Sequence, residues 1–269
     1  MKLRILIICI GLTIINSSVL HCQDSTNVNH KLNVKYVKSY FSDEAKILLS
    51  PIRWDATQFK IAGAVLLGTA LVYSQDKVIK DFFQRNKSNI ADNISSVLEP
   101  FGSGEFSVPL LGVLFLTAEI SKSKKLRQTT LEAGKAFVLS GFTSLLLKEI
   151  LHRPRPFQYD QGDVQLFDGP LGQSNYNSMP SGHTITAFSI ATVFATEYKN
   201  ILWVPILSYT IATGVALSRI YDNKHWASDV VMGSALGWAI GKLISNNSKL
   251  KIYPLMNSRY TGMGIRVSL

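Results

Sequence analysis

"NSMPSGHTITAF", residues 177 to 188, takes the chain from a polar loop into an apolar run that continues to residue 196. Pro180, Ser181 and Gly182 are helix-opening punctuation. Ser181 can cap free backbone N–H groups and Gly182 lets another group approach the backbone closely. His183 then stands one residue into the run. Outward from this stretch, further apolar runs occupy 61–75, 106–118, 136–147, 201–218 and 230–241. They are rich in Ala, Leu and Ile, with Gly and Ser between them, which reads as helices. The expected fold class is all-α: a bundle of about six core helices, membrane-embedded, with the functional site at one end.

Composition narrows the choices. A chain of 269 residues, 46% hydrophobic and 17% charged, suits one sizeable domain or a small helical membrane protein, and not a disordered one. The formal charge of +10 does not indicate a nucleic-acid partner, because the lysines are scattered without a basic helix or an aromatic–basic platform. Anionic lipid or a phosphorylated substrate fits better. Lys2 and Arg4, then an apolar stretch to about Ile15 and small polar residues, have the layout of a secretory signal over 1–22. Cys9 and Cys22 lie in or beside it, so a mature chain without the leader has no internal disulfide. His21 before Cys22 argues against lipidation at that cysteine.

The expected organisation is a signal peptide over 1–22, a polar leader-in segment with a short amphipathic helix over 23–57, a helical domain over 58–245 and a tail over 246–269. Within the domain, Val78, Ile79, Phe82 and Phe83 mark an amphipathic helix followed by a loop up to residue 105. The tail reads as a terminal strand or as disordered chain.

Two features bear on the membrane. Only 201–218 has the length that spanning needs, while other runs stop nearer a dozen residues at charges such as Glu119 and Lys135. An exported helical bundle whose apolar runs are core faces is therefore the alternative. The basic loop "SKSKKLRQ", 121–128, belongs on the cytoplasmic side by the positive-inside rule, which puts the loops after 148 and after 218 outside. A cleaved leader followed by two crossings would instead leave that loop outside, and the sequence alone keeps both topologies open.

The residues able to do chemistry cluster at helix ends. Lys148 and Arg155 close the third run, Pro180 to His183 open the fourth, and Ser218, Arg219, His225 and Asp229 lie between the fifth and sixth. If successive helices are antiparallel, all three segments share one end of the bundle. Lys148, Arg155 and Arg219 then supply fixed positive charge, and guanidinium forks match phosphate oxygens two at a time. Ser181 and Gly182 open a helix whose N–H groups face an anion. On a helix, His225 and Asp229 share a face, so the carboxylate can hold one imidazole nitrogen and leave the other to attack. His183 can protonate a leaving oxygen and then activate water.

Each element alone is ordinary: a helix-start histidine is usually a cap, and an i, i+4 His/Asp pair is usually a surface contact. Their joint order resembles the type 2 phosphatidic acid phosphatase and vanadium haloperoxidase superfamily, whose signature is Lys-x6-Arg-Pro, Pro-Ser-Gly-His and Ser-Arg-x5-His-x3-Asp. All three parts stand here without substitution, over Lys148–Pro156, Pro180–His183 and Ser218–Asp229. The resemblance implies His225 as the nucleophile forming a phosphohistidine, Asp229 as its orienter and His183 as general acid and base. It gives Lys148, Arg155, Ser181, Gly182 and Arg219 the phosphate.

The resemblance also implies no metal and no cofactor; Asp160, Asp163 and Asp168 read as solvated loop carboxylates. The implied function is a metal-independent phosphatase of the cell envelope acting on a phosphorylated lipid or isoprenoid, with its site facing the periplasm or exterior. A soluble exported acid phosphatase is the alternative, and no nucleic acid or obligate protein partner is indicated. His152 and Arg153, inside the first motif but off its fixed positions, read as supporting or solvent-facing residues, and Trp226 as packing. The loop 157–179, with Phe157, Tyr159, Phe167 and Tyr176, is expected to rim the pocket.

Overall fold

The computed structural model describes residues 34–158, 167–171, 175–257 and 260–267. The predicted signal peptide, both cysteines, Tyr159, Asp160 and Asp163 lie outside the described residues. Nine α-helices are described: α1 Val34–Leu49, α2 Ala56–Tyr73, α3 Asp76–Arg85, α4 Asn89–Leu98, α5 Gly104–Ile120, α6 Lys124–Leu151, α7 Gly182–Glu197, α8 Trp203–Tyr221 and α9 Ala227–Lys249. The six apolar runs are the cores of α2 and of α5 to α9. The stretch expected to be one helix and a loop is two helices, α3 and α4, because Ser88 restarts the chain by accepting from the Ala91 N–H. After α9, the tail forms an antiparallel hairpin of β1 Leu250–Asn257 and β2 Tyr260–Val267, with Leu250 opposite Val267 and Asn257 opposite Tyr260.

Local chemistry sets the helix starts. Asp55 opens α2 through a capping box: its carboxylate accepts from the Gln58 N–H and the Gln58 side chain accepts from the Asp55 N–H, both at 2.9 Å. Ser123 caps α6 by accepting from the Leu126 N–H. The charge that bounds the third run, Lys135, is buried in α6 and paired: its Nζ donates to Asp43 Oδ2 at 2.8 Å and to Ser39 Oγ at 2.6 Å, both on α1. Tyr36 adds a bond of 2.7 Å to the Leu131 carbonyl. These polar ties dock α1 on α6.

α7 is the central helix, packed against α6, α8 and α9. Its closest neighbour is α9, which presents Gly233, Gly237 and Gly241 at four-residue spacing. A Cβ at Gly233 would meet the Ser181 carbonyl and Thr184, and one at Gly237 would run into the Ile185 carbonyl. At Gly241 it would stand 2.6 Å from Thr192 Cβ and 2.7 Å from the Ser189 carbonyl. Small residues at this spacing let two backbones come together. The contacts rise in number along both helices, so α7 and α9 are parallel and begin at the same end. Lys148 beside Gly182 and the Ser189–Ser140 bond, in contrast, run in opposite order along α6 and α7, which are antiparallel. The end of α6 therefore meets the starts of α7 and α9.

By length and composition, α2 is the described helix able to cross a membrane on its own. The sequence singled out 201–218; α2 passes because Asp55 starts it at Ala56, ahead of the apolar run at 61. Its long side chains face outward, with Leu67 64% and Leu71 63% exposed. Residues Asn89–Gly102 and Gly104–Ile120 pass together as a pair bent by 64°.

The α7–α9 approach gives a stability test. Gly237→Ala should lower the apparent melting temperature in detergent, at a cost of about 1–3 kcal/mol for overpacking against backbone. Gly63→Ala on α2, where nothing lies within 4 Å, should leave the melting temperature unchanged or slightly raised. Equal behaviour of the two variants would contradict the close approach.

Candidate active site

Three segments far apart in sequence are stitched together by backbone. After α6 the chain turns at His152, which adopts the left-handed conformation with φ 41°. The Arg153 carbonyl then accepts from the Ser178 N–H at 2.9 Å, joining the first motif to the second. The Pro154 carbonyl accepts from Trp226 Nε1 at 2.9 Å, joining the first to the third. The Ser181 N–H donates to the Asp229 carbonyl at 3.1 Å, joining the second to the third. Trp226, at 1% exposure, is packing, as read from the sequence.

His225 and Asp229 meet, but not as two residues on one helical face. α9 begins at Ala227, so His225 lies in the turn before it. The Asp229 carboxylate reaches back instead: its Oδ2 accepts from the Trp226 N–H at 2.9 Å and from the Ser178 hydroxyl. His225 Nδ1 stands 3.5 Å from that same oxygen and 3.4 Å from Ser178 Oγ. This leaves Nε2 as the nitrogen not engaged with the carboxylate. Burial pushes the His225 imidazole down to about 4, against the opposing pull of Asp229 and reinforced by Lys148 and Arg155.

The predicted cations and the helix start gather around this pair. Lys148 Nζ lies against Gly182, 3.7 Å from where a Cβ there would stand. Arg155 is held by Asn177, whose Oδ1 accepts from its Nε at 2.9 Å, and its own N–H donates to Gln158. Ser181 occupies the N-cap position of α7, but its hydroxyl makes no capping bond and instead accepts from Thr184 Oγ1 at 3.0 Å. The first N–H groups of α7 thus keep their positive end for an anion rather than for a side-chain cap. Arg219 is tied through Nε to Ser218 and through Nη2 to Asp222 at 2.6 Å. Asp168 is exposed, as expected of a loop carboxylate.

Two acidic residues, Glu99 and Asp76, escaped the sequence reading. Glu99, on the turn Glu99–Gly102 between α4 and α5, uses one oxygen for two of the predicted site residues. Its Oε1 is 2.9 Å from His183 Nε2 and 3.3 Å from Arg219 Nη1. Gly102 locks that turn in place, since a Cβ there would be 2.7 Å from the His183 carbonyl, and Thr186 Oγ1 donates to the Gly102 carbonyl at 2.8 Å. The second, Asp76, bonds Arg153, for which the supporting reading holds and the solvent-facing one does not, since it is 2% exposed. Arg153 Nη1 donates to Asp229 Oδ1 and to Ser228 Oγ, and its Nη2 donates to Asp76 Oδ2 at 2.7 Å. The adjacent Arg-Pro pairs in the sequence are the only signal for Arg153, and nothing in the pattern marks Glu99 or Asp76.

An arrangement of three basic side chains, a helix N-terminus and two histidines has the chemistry to hold a tetrahedral anion beside an imidazole. Residues 129–252 match the PAP2 superfamily model, and that segment contains all three motifs. Over that segment, a little under half of the chain, the protein is similar to the PAP2 superfamily. Over 68 residues, a quarter of this chain, it is 50% identical to a lipid A 1-phosphatase of Porphyromonas gingivalis, a match that spans only 15% of that relative's length. A lipid A 1-phosphatase of Rhizobium johnstonii is 25% identical over 200 residues, 70% of this chain and 78% of that protein. The crystal structure of a transmembrane PAP2 type phosphatidylglycerolphosphate phosphatase from Bacillus subtilis superposes with a TM-score of 0.50 at 21% identity, covering 78% of this chain and 92% of that one. This last is a likeness of fold.

Glu99 places a negative charge against two groups that an incoming anion would use. Glu99→Gln should therefore tighten binding of inorganic phosphate, by about tenfold for removal of one like charge at close range. Isothermal titration in detergent measures this, and weaker or unchanged binding would contradict the placement of Glu99 in the anion's path.

Proposed function

We propose that this chain is a phosphatase of the cell envelope that hydrolyses a lipid phosphate ester or diphosphate through a phosphohistidine, without a metal ion. The observation that carries this reading is the His225–Asp229 pair, buried at the end of the bundle where the cations and the α7 N-terminus converge. Asp229 keeps Nδ1 of His225 as the donor, so the lone pair is on Nε2. Nε2 attacks phosphorus; as the N–P bond forms, the P–O bond to the leaving group breaks. His183 gives its proton to that departing oxygen.

In the second half, water attacks the phosphohistidine, His183 accepts the proton from water, and the N–P bond breaks to release inorganic phosphate. Lys148, Arg155 and Arg219, with Ser181, Gly182 and the α7 N–H groups, meet the charge on the transferred phosphoryl group. No further cofactor is needed for this balance.

The lipid substrate is supported by the names of the relatives and by the outward apolar side chains of α2 and α5. Integral membrane attachment is supported by the same features, and a site facing the periplasm or exterior by the basic loop 121–128, which the positive-inside rule keeps on the cytoplasmic side. The soluble exported reading has one observation in its favour: among the described helices α2 alone meets the length and composition of a span.

Purified wild-type protein should release phosphate from at least one of phosphatidic acid, phosphatidylglycerol phosphate, undecaprenyl diphosphate and lipid A. His225→Ala should fall to background, a loss of about 10⁴-fold or more, consistent with removal of a covalent nucleophile. Rates equal to wild type would sink the nucleophile assignment. Release of the protein by alkaline carbonate would favour the soluble enzyme.

The pH profile follows from the burial of His225. The neutral imidazole attacks, and folding lowers its pKa from about 6.5 to about 4. The nucleophile is therefore lost only as pH falls through about 4, so the acid limb of kcat/KM assigned to His225 should lie near 4. A limb at 6.5 that vanishes in no other variant would contradict a buried His225.

A further inference from the structure

The proposed mechanism uses Asp229 through its Oδ2 edge alone. The other oxygen, Oδ1, faces Arg153, and Arg153 is shared with a second buried carboxylate, Asp76, at the start of α3. Asp76 is 2% exposed and is fully engaged: its Oδ1 accepts from the Ser228 N–H at 2.9 Å, and its Oδ2 accepts from Ser228 Oγ and from Arg153 Nη2. Ser228 Oγ in turn accepts from Arg153 Nη1 at 2.7 Å. The guanidinium is enclosed by rings, with its central carbon 4.6 Å from the Tyr73 centroid, 5.4 Å from Trp226 and 5.5 Å from Phe167. No other acidic side chain takes a hydrogen bond from it among the described residues.

Resting on the phosphohistidine reading above, we propose that Asp76 and Arg153 are positioning residues for the Asp229–His225 pair: Asp76 holds Arg153 and takes up part of its charge, so that Arg153 orients Asp229 without neutralising it.

The charge count supports the division of roles. An arginine bonded to Asp229 alone would form a neutral buried pair, and the carboxylate would then do little to stabilise positive charge developing on His225. With Asp76 on the opposite edge, the three groups carry one net negative charge, and the fork geometry of the guanidinium fixes Asp229 Oδ1 while Oδ2 stays with Ser178, Trp226 N–H and His225. The other charges facing His225 are Lys148 from the end of α6 and Arg155 from the loop after it; both oppose a positive imidazole, so Asp229 is the group that must offset them.

The test is a pH profile of kcat and KM for detergent-purified wild type, Asp76→Asn, Arg153→Met and His225→Ala. Short-chain phosphatidic acid is the lipid probe and para-nitrophenyl phosphate the soluble one. Asp76→Asn should lower kcat by about 10–100-fold, as loss of an outer-shell partner does, with KM within about threefold of wild type. Removing a negative charge disfavours the imidazolium, so its acid limb should move to lower pH; removing the positive charge in Arg153→Met should move it to higher pH. A loss of packing alone would not shift the two limbs in opposite directions.

The proposal is overturned if Asp76→Asn has the wild-type kcat, or if kcat falls with the limb fixed. If Arg153→Met does not fold, Arg153→Lys, which keeps the charge but not the fork, should lower kcat and leave the limb in place; a wild-type kcat would overturn the proposal. His225→Ala separates the two levels. If it retains activity, the phosphohistidine reading fails; if it is inactive while Asp76→Asn matches wild type, the positioning role alone fails.

Discussion

A carboxylate with no exposed surface, that of Asp229, draws the molecule's distant parts together. A buried charge left unpaired costs about 3–5 kcal/mol, so each side of such a group must find a donor. Asp229 finds them in four places: Arg153 after α6, Ser178 before α7, the Trp226 N–H at the start of its own helix, and His225 beside it. The first and third motif segments and the loop just before the second each contribute at least one. Satisfying one carboxylate therefore assembles the site, and its backbone carbonyl adds a further tie to the Ser181 N–H.

That convergence is possible only because α7 and α9 begin at the same end and lie unusually close. Side chains at 233, 237 and 241 would hold the two backbones apart, since a Cβ at each would meet backbone or Cβ atoms of α7. The parallel pair also gives the site its electrostatics. Two helix N-termini point toward one region, which favours an anion there before any side chain is counted. The lysine and arginines then add charge to an end of the bundle already polarised by backbone.

The helices were legible in the sequence, and the eight candidate site residues stood out in it, because both rest on local pattern. Apolar periodicity marks α2 and α5 to α9, and fixed spacings mark Lys148 to Asp229. It did not disclose how His225 and Asp229 meet, since spacing of four suggests a shared helical face, whereas the helix starts after His225 and the carboxylate folds back to cap it. Glu99 and Asp76 were illegible for a different reason: single acidic residues carry no spacing, and only the packing of α3 and of the Glu99–Gly102 turn brings them inward. The Gly233-x3-Gly237-x3-Gly241 repeat was present in the text of the chain, but a glycine pattern does not name the helix it faces.

The outer helices are not passive supports for this end of the bundle. α2, an apolar helix with almost no buried residues, ends at Tyr73, whose ring lies against the Arg153 guanidinium, and three residues later Asp76 bonds the same guanidinium. The chain thus passes from its outward-facing apolar helix directly into the charge network behind Asp229. On the membrane reading, that continuity fixes the depth of the site: α2 cannot shift along the bilayer normal without pulling Asp76 from Arg153. On the same reading, anchoring the buried charges to the outward-facing α2 would hold the pocket at one level for a substrate whose tail stays in lipid.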